Sequence, residues 1–297
     1  MTQRRLFPYF ALAIGISALS LSAMFVRWAD APGPMTGFYR LLISTILFFP
    51  IFLQKQRTSE SIQGRRLLLP LIAGLFTACD FALWNSSLKY TTAANATLLG
   101  NTAPLWVALT ALLIFREKLR GTFWLGLLLA LSGATLIMGN DFLHHPTFGF
   151  GDLLASGAGI FYAAYQLITQ RGRRHIDPFR YIWLVGVSAT LAMFVMNLIL
   201  GNSFSGYSTQ TWVVFCAAAI VSQMFGYLSI TYALGHLPAS IVSPTLVGQP
   251  LLTTILAIPL LGEIPTPVQW IGGGVALAGI YLVNQAHSVP AQETPNA

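Results

Sequence analysis

Residues 93–138 read AANATLLGNTAPLWVALTALLIFREKLRGTFWLGLLLALSGATLIM, and residues 239–284 read ASIVSPTLVGQPLLTTILAIPLLGEIPTPVQWIGGGVALAGIYLVN. Set one over the other with a shift of 146 residues, they align without a gap and share eleven of 46 positions. Apolar bias explains the shared Ala and Leu. It explains less well Pro104/Pro250, Glu117/Glu263, Trp124/Trp270, Gly126/Gly272 and Gly133/Gly279, and thirteen residues separate Pro from Glu in both copies. The chain reads as a duplication.

The material around these stretches is apolar. Of 297 residues 55% are hydrophobic and 8% charged, against about 25% charged in a soluble protein. Between Arg180 and Glu263 there is no Asp, Glu, Lys or Arg, and the mean hydropathy is +0.67. Such a chain cannot solvate its surface, which excludes a disordered chain, a secreted disulfide scaffold and a typical soluble enzyme. The net charge of +7 sits in short clusters between apolar runs, the form of a topology signal and not of a nucleic-acid interface. Cys79 and Cys216 both fall inside apolar runs, so neither a disulfide nor a metal site is expected.

A membrane helix needs about 20 mostly apolar residues. Ten such spans can be read, over 6–26, 35–53, 67–88, 90–115, 121–140, 153–170, 181–200, 211–235, 237–262 and 264–286. Eight carry no charge; span 2 holds Arg40 and span 3 holds Asp80. The first span follows Arg4 and Arg5 but runs 21 residues, too long for the apolar core of a signal peptide, so it is read as retained. With the N-terminus in the cytoplasm, thirteen Lys and Arg face inside and two, Arg27 and Lys89, face outside. That bias sets the orientation. The expected fold is an all-α polytopic membrane protein of ten transmembrane helices, with a first five-helix repeat over 6–140, a second over 150–286 and a cytoplasmic tail over 287–297. Five is odd, so the second unit enters the bilayer with opposite polarity. Inverted repeats of this kind are an architecture of secondary transporters, with the substrate near the midplane.

Leu83–Glu117, LWNSSLKYTTAANATLLGNTAPLWVALTALLIFRE, carries a small-residue helix end, Leu-x-Tyr-Thr, alternating Ala, a Pro, and Glu thirteen residues on. Tyr232-Ala233-Leu234 through Ala239, Ser240, Pro250 and Glu263 repeat it loosely, and Tyr39-Arg40-Leu41-Leu42 opens span 2. These stretches, with the Gly-rich spans 5 and 10, resemble the EamA-type permeases of the drug/metabolite transporter superfamily over nearly the whole chain. The resemblance implies two EamA units around a central cavity and export of amino acids or other small metabolites. The chain departs from it in span 7, where Leu184 stands in the place of Arg40, and in the basic loop Arg171–Arg174.

Pro104 and Pro250 lie about thirteen residues into spans 4 and 9. Each is expected to kink its helix and free the carbonyls of Gly100 and Leu246, which lipid tolerates only beside protein or a water-filled cavity. The kinks line a cavity or shape the bundle, or both. Asn95, Asn101 and Gln249 gather near them. Asp80 is the one acid deep in a span, at a cost of about 2.5–3.5 kcal/mol unless it is partnered. It has three readings: an ion pair with Arg40, which lies at similar depth; a proton or substrate-amine site; or exposure to an aqueous vestibule. Tyr162, Tyr165 and Gln166 share one helical face, as do Gln223 and Tyr227, and Ser17, Ser20 and Trp84 complete the candidate cavity lining. Each of these is also explicable as interhelical glue. Glu117 and Glu263 end spans 4 and 9 and are expected to cap neighbouring helices; spans 5 and 10 are expected to be peripheral supports. His144 and His145 are not expected to hold a metal.

The function expected is secondary transport of a small organic metabolite by alternating access, with proton coupling through Asp80 one open route. No P-loop occurs; the alternatives are a passive channel or facilitator, for which no filter or charged ring is visible, and an intramembrane lipid-modifying enzyme, for which no catalytic cluster is visible. No cofactor, metal or nucleic-acid partner is expected. The partners are the bilayer and the solute, the state is monomer or homodimer, and the site is a bacterial inner membrane.

Overall fold

The structure is a computed structural model that describes residues 3–62, 64–87, 90–91, 93–138, 149–262 and 264–288. Every regular element among them is helical. In chain order these are α1 (Gln3–Ser20), α2 (Ser22–Trp28), α3 (Gly33–Thr58), α4 (Gly64–Ser87), α5 (Ala93–Gly100), α6 (Ala103–Leu113), α7 (Gly121–Met138), α8 (Phe150–Gly172), α9 (Pro178–Ile199), α10 (Thr209–Ala218), a π-helical turn pair (Ala219–Tyr227), α11 (Leu228–Leu234), α12 (Ala239–Leu246), α13 (Gln249–Leu261) and α14 (Pro267–Ser288).

The 146-residue shift holds for elements as well as letters. It carries the first residues of α5, α6 and α7 onto those of α12, α13 and α14, and those of α3 and α4 to within one residue of α9 and α10. The same shift puts Gly186, not Leu184, opposite Arg40.

Among the described residues, seven stretches are long and apolar enough to cross a membrane: Leu6–Val26, Gly33–Thr58, Gly64–Ser87, Gly121–Met138, Pro178–Ile199, Thr209–Leu234 and Ala239–Leu260. The ten expected spans exceed these by three, each with a physical cause. Span 4 is divided into α5 and α6. The helix α8 carries Asp152, Tyr162, Tyr165, Gln166, Gln170 and Arg171, and α14 is diluted by four glycines and by Asn284 and Gln285. Helix α14 continues to Ser288, two residues into the expected tail.

The two last helices of the units, α7 and α14, pack along their length and run antiparallel. A Cβ on Gly126 would lie 2.8 Å from the carbonyl oxygen of Gly279, and one on Gly272 would lie 2.8 Å from that of Gly133. A Cβ on Gly133 would lie 2.5 Å from the oxygen of Gly272, and one on Gly279 would lie 2.5 Å from that of Gly126. Each contact therefore has a counterpart with the units exchanged, which is the relation a two-fold axis imposes. Bare glycines let the backbones touch where any side chain would hold them apart.

The rest of the bundle follows the same exchange. Helix α4 packs on α8, and its counterparts, the π-helical segment and α11, pack on α1; α3 packs on its own counterpart α9. Gly15 against Ile230 permits the approach of α1 to α11, and Gly74 against Val185 and Ala189 lets α4 pack on α9 as well.

One group of contacts breaks the exchange. Both α5 and α6 pack on α8. Of their counterparts, α13 packs on α1, but α12 leans instead on α6 and α8. A cleft of about 350 Å³ is left between α1, α12 and α14, lined by Tyr9, Leu12, Ala13, Ile16, Thr245 and Asn284.

Candidate functional site

The proline breaks lie at the centre of spans 4 and 9. In place of one kinked helix, each span forms two, with Pro104 and Pro250 in the first turn of α6 and α13. There a missing N–H costs nothing, because the first helical amides have no intrahelical acceptor. At the first break, the Thr102 hydroxyl and amide both donate to the Leu99 carbonyl, at 2.6 and 3.1 Å. Gly159 of α8 fits against it: a Cβ there would stand 3.0 and 3.1 Å from the carbonyl oxygens of Leu99 and Gly100. Trp84 lies over Gly100, and Asn101 occupies the turn. At the second break, Ser20 donates to the Ile16 and Gln249 carbonyls at 2.8 and 3.2 Å. The Gln249 amide donates to Leu19, and Thr253 donates to Ser20. Ser20 and Gln249 therefore stitch α1 to α13. Ser17 is exposed and bonds back to Ala13.

Between the breaks lies an aromatic cluster. The rings of Tyr162 and Tyr165 stack at 5.9 Å, and Tyr165 meets Tyr227 edge-on at 6.0 Å. Tyr165 shares a 3.4 Å hydroxyl contact with Thr231. Beside them Gln166 is 0% exposed, and neither end of its amide has a partner. Gln223 is likewise buried with its Oε1 unpaired. Buried amides without partners are uncommon in proteins and mark places where a ligand or ordered water completes the bonding. The π-helical segment, with its i→i+5 bonding, carries both Gln223 and Tyr227, and such bulges occur often at functional sites.

Arg40 enters this cluster from α3. Its guanidinium lies 4.5 Å from the centre of the Phe81 ring and 5.8 Å from that of Tyr227, and donates to the Ser22 hydroxyl at 2.8 Å. Asp80, half-buried, is within electrostatic range of it. No ion pair closer than 4.0 Å joins the two; the ion pair found among the described residues is Asp177–Arg180. Of the three readings of Asp80, the direct salt bridge with Arg40 is thus not the arrangement found. The reason is local: Phe81 and Ser22 already hold the guanidinium.

At one end of the bundle the N-terminus of α12 is held by two other elements. The Gln170 side chain of α8 accepts from the Ala239 amide at 2.9 Å, and Glu117 accepts from the Ser240 hydroxyl at 3.3 Å. Glu117 is brought there by a left-handed residue, Arg116 with φ of 54°, after which the Glu117 amide donates back to Ala111. Its repeat counterpart Gly262 has φ of 68°. Glu117 therefore reaches the first turn of a neighbouring helix through the Ser240 side chain, without accepting from its backbone amides. Next to it, Arg173 donates to the carbonyls of Thr231 and Ile176, and burial pulls its pKa below the ordinary arginine value.

The structure so gathers Arg40, Asp80, Tyr162, Tyr165, Gln166, Gln223 and Tyr227 in the middle of the bundle, with Trp84, Asn101, Pro104 and Pro250 at the flanking breaks. The side chain of Asn95, Glu263, and the loop with Asp141, His144 and His145 lie outside the described residues. Asp152, next to that loop, accepts from the Gly149 amide and the Thr91 hydroxyl and so caps α8. Sequence reasoning missed Phe81, Ser22 and Gln170. Phe81 and Ser22 are ordinary residues in an apolar run, and Gln170 resembles any polar helix end. The one available signal was that Gln170 has no charged neighbour except Arg171.

Known proteins bear on this arrangement in three ways. The model of the EamA-like transporter family matches the chain twice, over residues 6–139 and 149–285. An uncharacterized transporter of Archaeoglobus fulgidus is 28% identical over 83% of this chain and 86% of its own length. The uncharacterized transporter YdfC of Bacillus subtilis is 26% identical over 88% and 89%, and the uncharacterized inner membrane transporter YhbE of Escherichia coli K12 is 24% identical over 74% and 70%. A solved crystal structure superimposes with a TM-score of 0.80 over 95% of this chain and 98% of that one, at 17% identity, a likeness of fold alone. The chain is a multi-pass membrane protein with two copies of one unit, and it belongs to the EamA-like transporter family.

Proposed function

We propose that the protein is a secondary transporter that exports a small organic metabolite of amino-acid size by alternating access of two inverted five-helix units. One observation carries this reading. Elements that the repeat makes equivalent are packed differently: α5 sits on α8, whereas α12 makes no comparable contact with α1 and leans on α6 and α8. Two similar halves in unlike arrangements are what a carrier caught in one of two exchanged states would present.

The antiparallel glycine contacts of α7 and α14 support the inverted relation. Counting α5–α6, α8 and α14 as spans brings the total to ten. With thirteen basic residues inside, both termini lie in the cytoplasm. In that frame α12 is the cytoplasmic half of span 9, and its contacts with α6, Gln170 and Glu117 close the inner side. Among the described residues α5 makes no comparably extensive contact with α13, and we read the outer side as the open one. The solute occupies the Tyr162, Tyr165, Gln166, Gln223 and Tyr227 cluster at the midplane. Asp80 serves as proton site when export is driven by the proton gradient. The membrane is a bacterial inner membrane, as named for the Escherichia coli relative, and the unit is a monomer or homodimer.

The test is counterflow in proteoliposomes of the purified protein, using hits from metabolite profiling of cells with and without it. Trans-stimulated uptake is the carrier result. Uptake without trans-stimulation would mean a pore, and alternating access would fall.

A further inference from the structure

Resting on the transporter role proposed above, we propose that Arg40 receives the carboxylate of the transported solute while Asp80 faces its ammonium group, so that the site selects dipolar solutes over those carrying one charge.

Arg40 is 7% exposed in the middle of a membrane bundle. A guanidinium has five N–H donors in a planar fork. Here the guanidinium bonds the Ser22 hydroxyl and lies within hydrogen-bonding range of the Tyr227 side chain, while Nε is buried with no acceptor. Leaving a charged donor unanswered in an apolar setting is costly, and among the described residues no carboxylate closes on it. Phe81 and Tyr227 flank the guanidinium, which offsets some of its charge by cation–π attraction and restricts its rotamers, Phe81 without using any of its in-plane donors. The fork is therefore held but not filled.

Asp80 is the natural counter-charge, and it stops short of contact while remaining within electrostatic range. A pair serving only to neutralise itself would close to hydrogen-bond distance, since attraction in a low-dielectric interior rises steeply as charges approach. A guanidinium and a carboxyl group held apart beside an aromatic wall instead match a solute that brings its own opposite charges, its ammonium favouring the ionised form of Asp80. Tyr162 lies within electrostatic range of both, on the same helix as the unpaired Gln166 amide. Arg40 also has no counterpart: Gly186 stands at the equivalent position of α9. A brace required by the five-helix unit would be needed twice, whereas one central solute needs one fork.

The experiment uses the full chain, purified, with three probe pools built on the same carbon skeletons: common aliphatic and aromatic amino acids, the corresponding amines lacking the carboxylate, and the corresponding carboxylic acids lacking the amine. Binding is read as the shift in thermal unfolding midpoint, and transport as counterflow. The wild-type protein is expected to respond to the amino-acid pool and not to the other two. Arg40→Gln should weaken the amino-acid response at least tenfold and admit the amine pool; Asp80→Asn should do the reverse and admit the acid pool. Should either variant fail to fold, Arg40→Lys and Ser22→Ala keep the charge while altering the fork, and both should weaken amino-acid binding with the amine response unchanged. Folded variants that retain wild-type selectivity would overturn the roles of Arg40 and Asp80, and leave the carrier standing if counterflow persists. A wild-type protein that responds equally to acids or amines would overturn the dipolar class. Loss of trans-stimulation in the wild type would instead strike the transporter role itself.

Discussion

Replacing Gln170 with Ala removes the acceptor for the Ala239 amide at the start of α12. In a helix N-terminus, loss of such a cap costs about 1 kcal/mol. Replacing Glu117 as well removes a hydroxyl–carboxylate bond that is long, at 3.3 Å, and only partly buried. Together with the lost attraction of a carboxylate to the helix N-terminus, this is worth about 1 kcal/mol more. Neither group touches the central cluster, so both losses fall on the arrangement in which α12 leans on α6 and α8. A tenfold change in an equilibrium corresponds to about 1.4 kcal/mol. Gln170→Ala should therefore raise the fraction of molecules open to the cytoplasm about fivefold, and the double variant about thirtyfold. Ser243, buried on α12, supplies the reporter. With Cys79 and Cys216 replaced by Ala, Ser243→Cys is labelled with a membrane-impermeant maleimide in inside-out vesicles. The labelling rate should rise by those factors. A rate unchanged in folded protein would mean that these two contacts do not hold the inner side shut. A rise seen equally from the outer face would mean that α12 is not the cytoplasmic half of its span.

Four further expectations follow. Gly133→Ala places a methyl against the backbone of Ala276 and Gly272 and should lower the unfolding midpoint by the equivalent of about 1–3 kcal/mol, whereas Gly274→Ala, with open space around it, should be neutral or slightly stabilising in the same melt. Arg116→Gly should stabilise by up to about 1 kcal/mol, since a left-handed residue with a side chain is strained and Gly262 already fills the equivalent turn; a drop in midpoint would show that the Arg116 side chain contributes more than the strain costs. Gln166→Leu should leave the midpoint unchanged or raised, because it removes two unpaired buried groups, while solute affinity falls about tenfold; unaltered affinity would remove Gln166 from the site. Single cysteines in residues 55–66 and 171–174 should label from the same, cytoplasmic, side, and labelling from opposite sides would break the topology.

Much of this molecule is written in one dimension. The uncharged run after Arg180 requires lipid, and the spacing of Pro104, Glu117, Gly126 and Gly133 repeats at 250, 263, 272 and 279 because both copies solve one packing problem. The aromatic and amide faces of α8 and the π-helical segment were legible for the same reason: polar atoms in an apolar helix have few places to go. What was not legible depends on partners distant in sequence. A proline read as a kink became a helix start, because the chain can break where Gly159 lets α8 cover the exposed carbonyls. Of the three readings of Asp80, direct pairing with Arg40 was not realised, because Phe81 and Ser22, unremarkable letters, hold the guanidinium. Gln170 acquires meaning only once α12 folds back against it.

The seam between α7 and α14 has a further consequence. Because its contacts survive exchange of the two units, a single unit bearing one such glycine stripe already displays both mating surfaces. Two separate copies, inserted in opposite senses, would recognise each other through it without any new residue. Joining them in one polypeptide then adds no adhesion; it guarantees that every molecule holds one copy of each handed insertion, and frees the two copies to drift apart. Arg40 opposite Gly186, present once where the scaffold is present twice, is the kind of divergence that covalent pairing permits and a self-assembling pair of identical chains forbids.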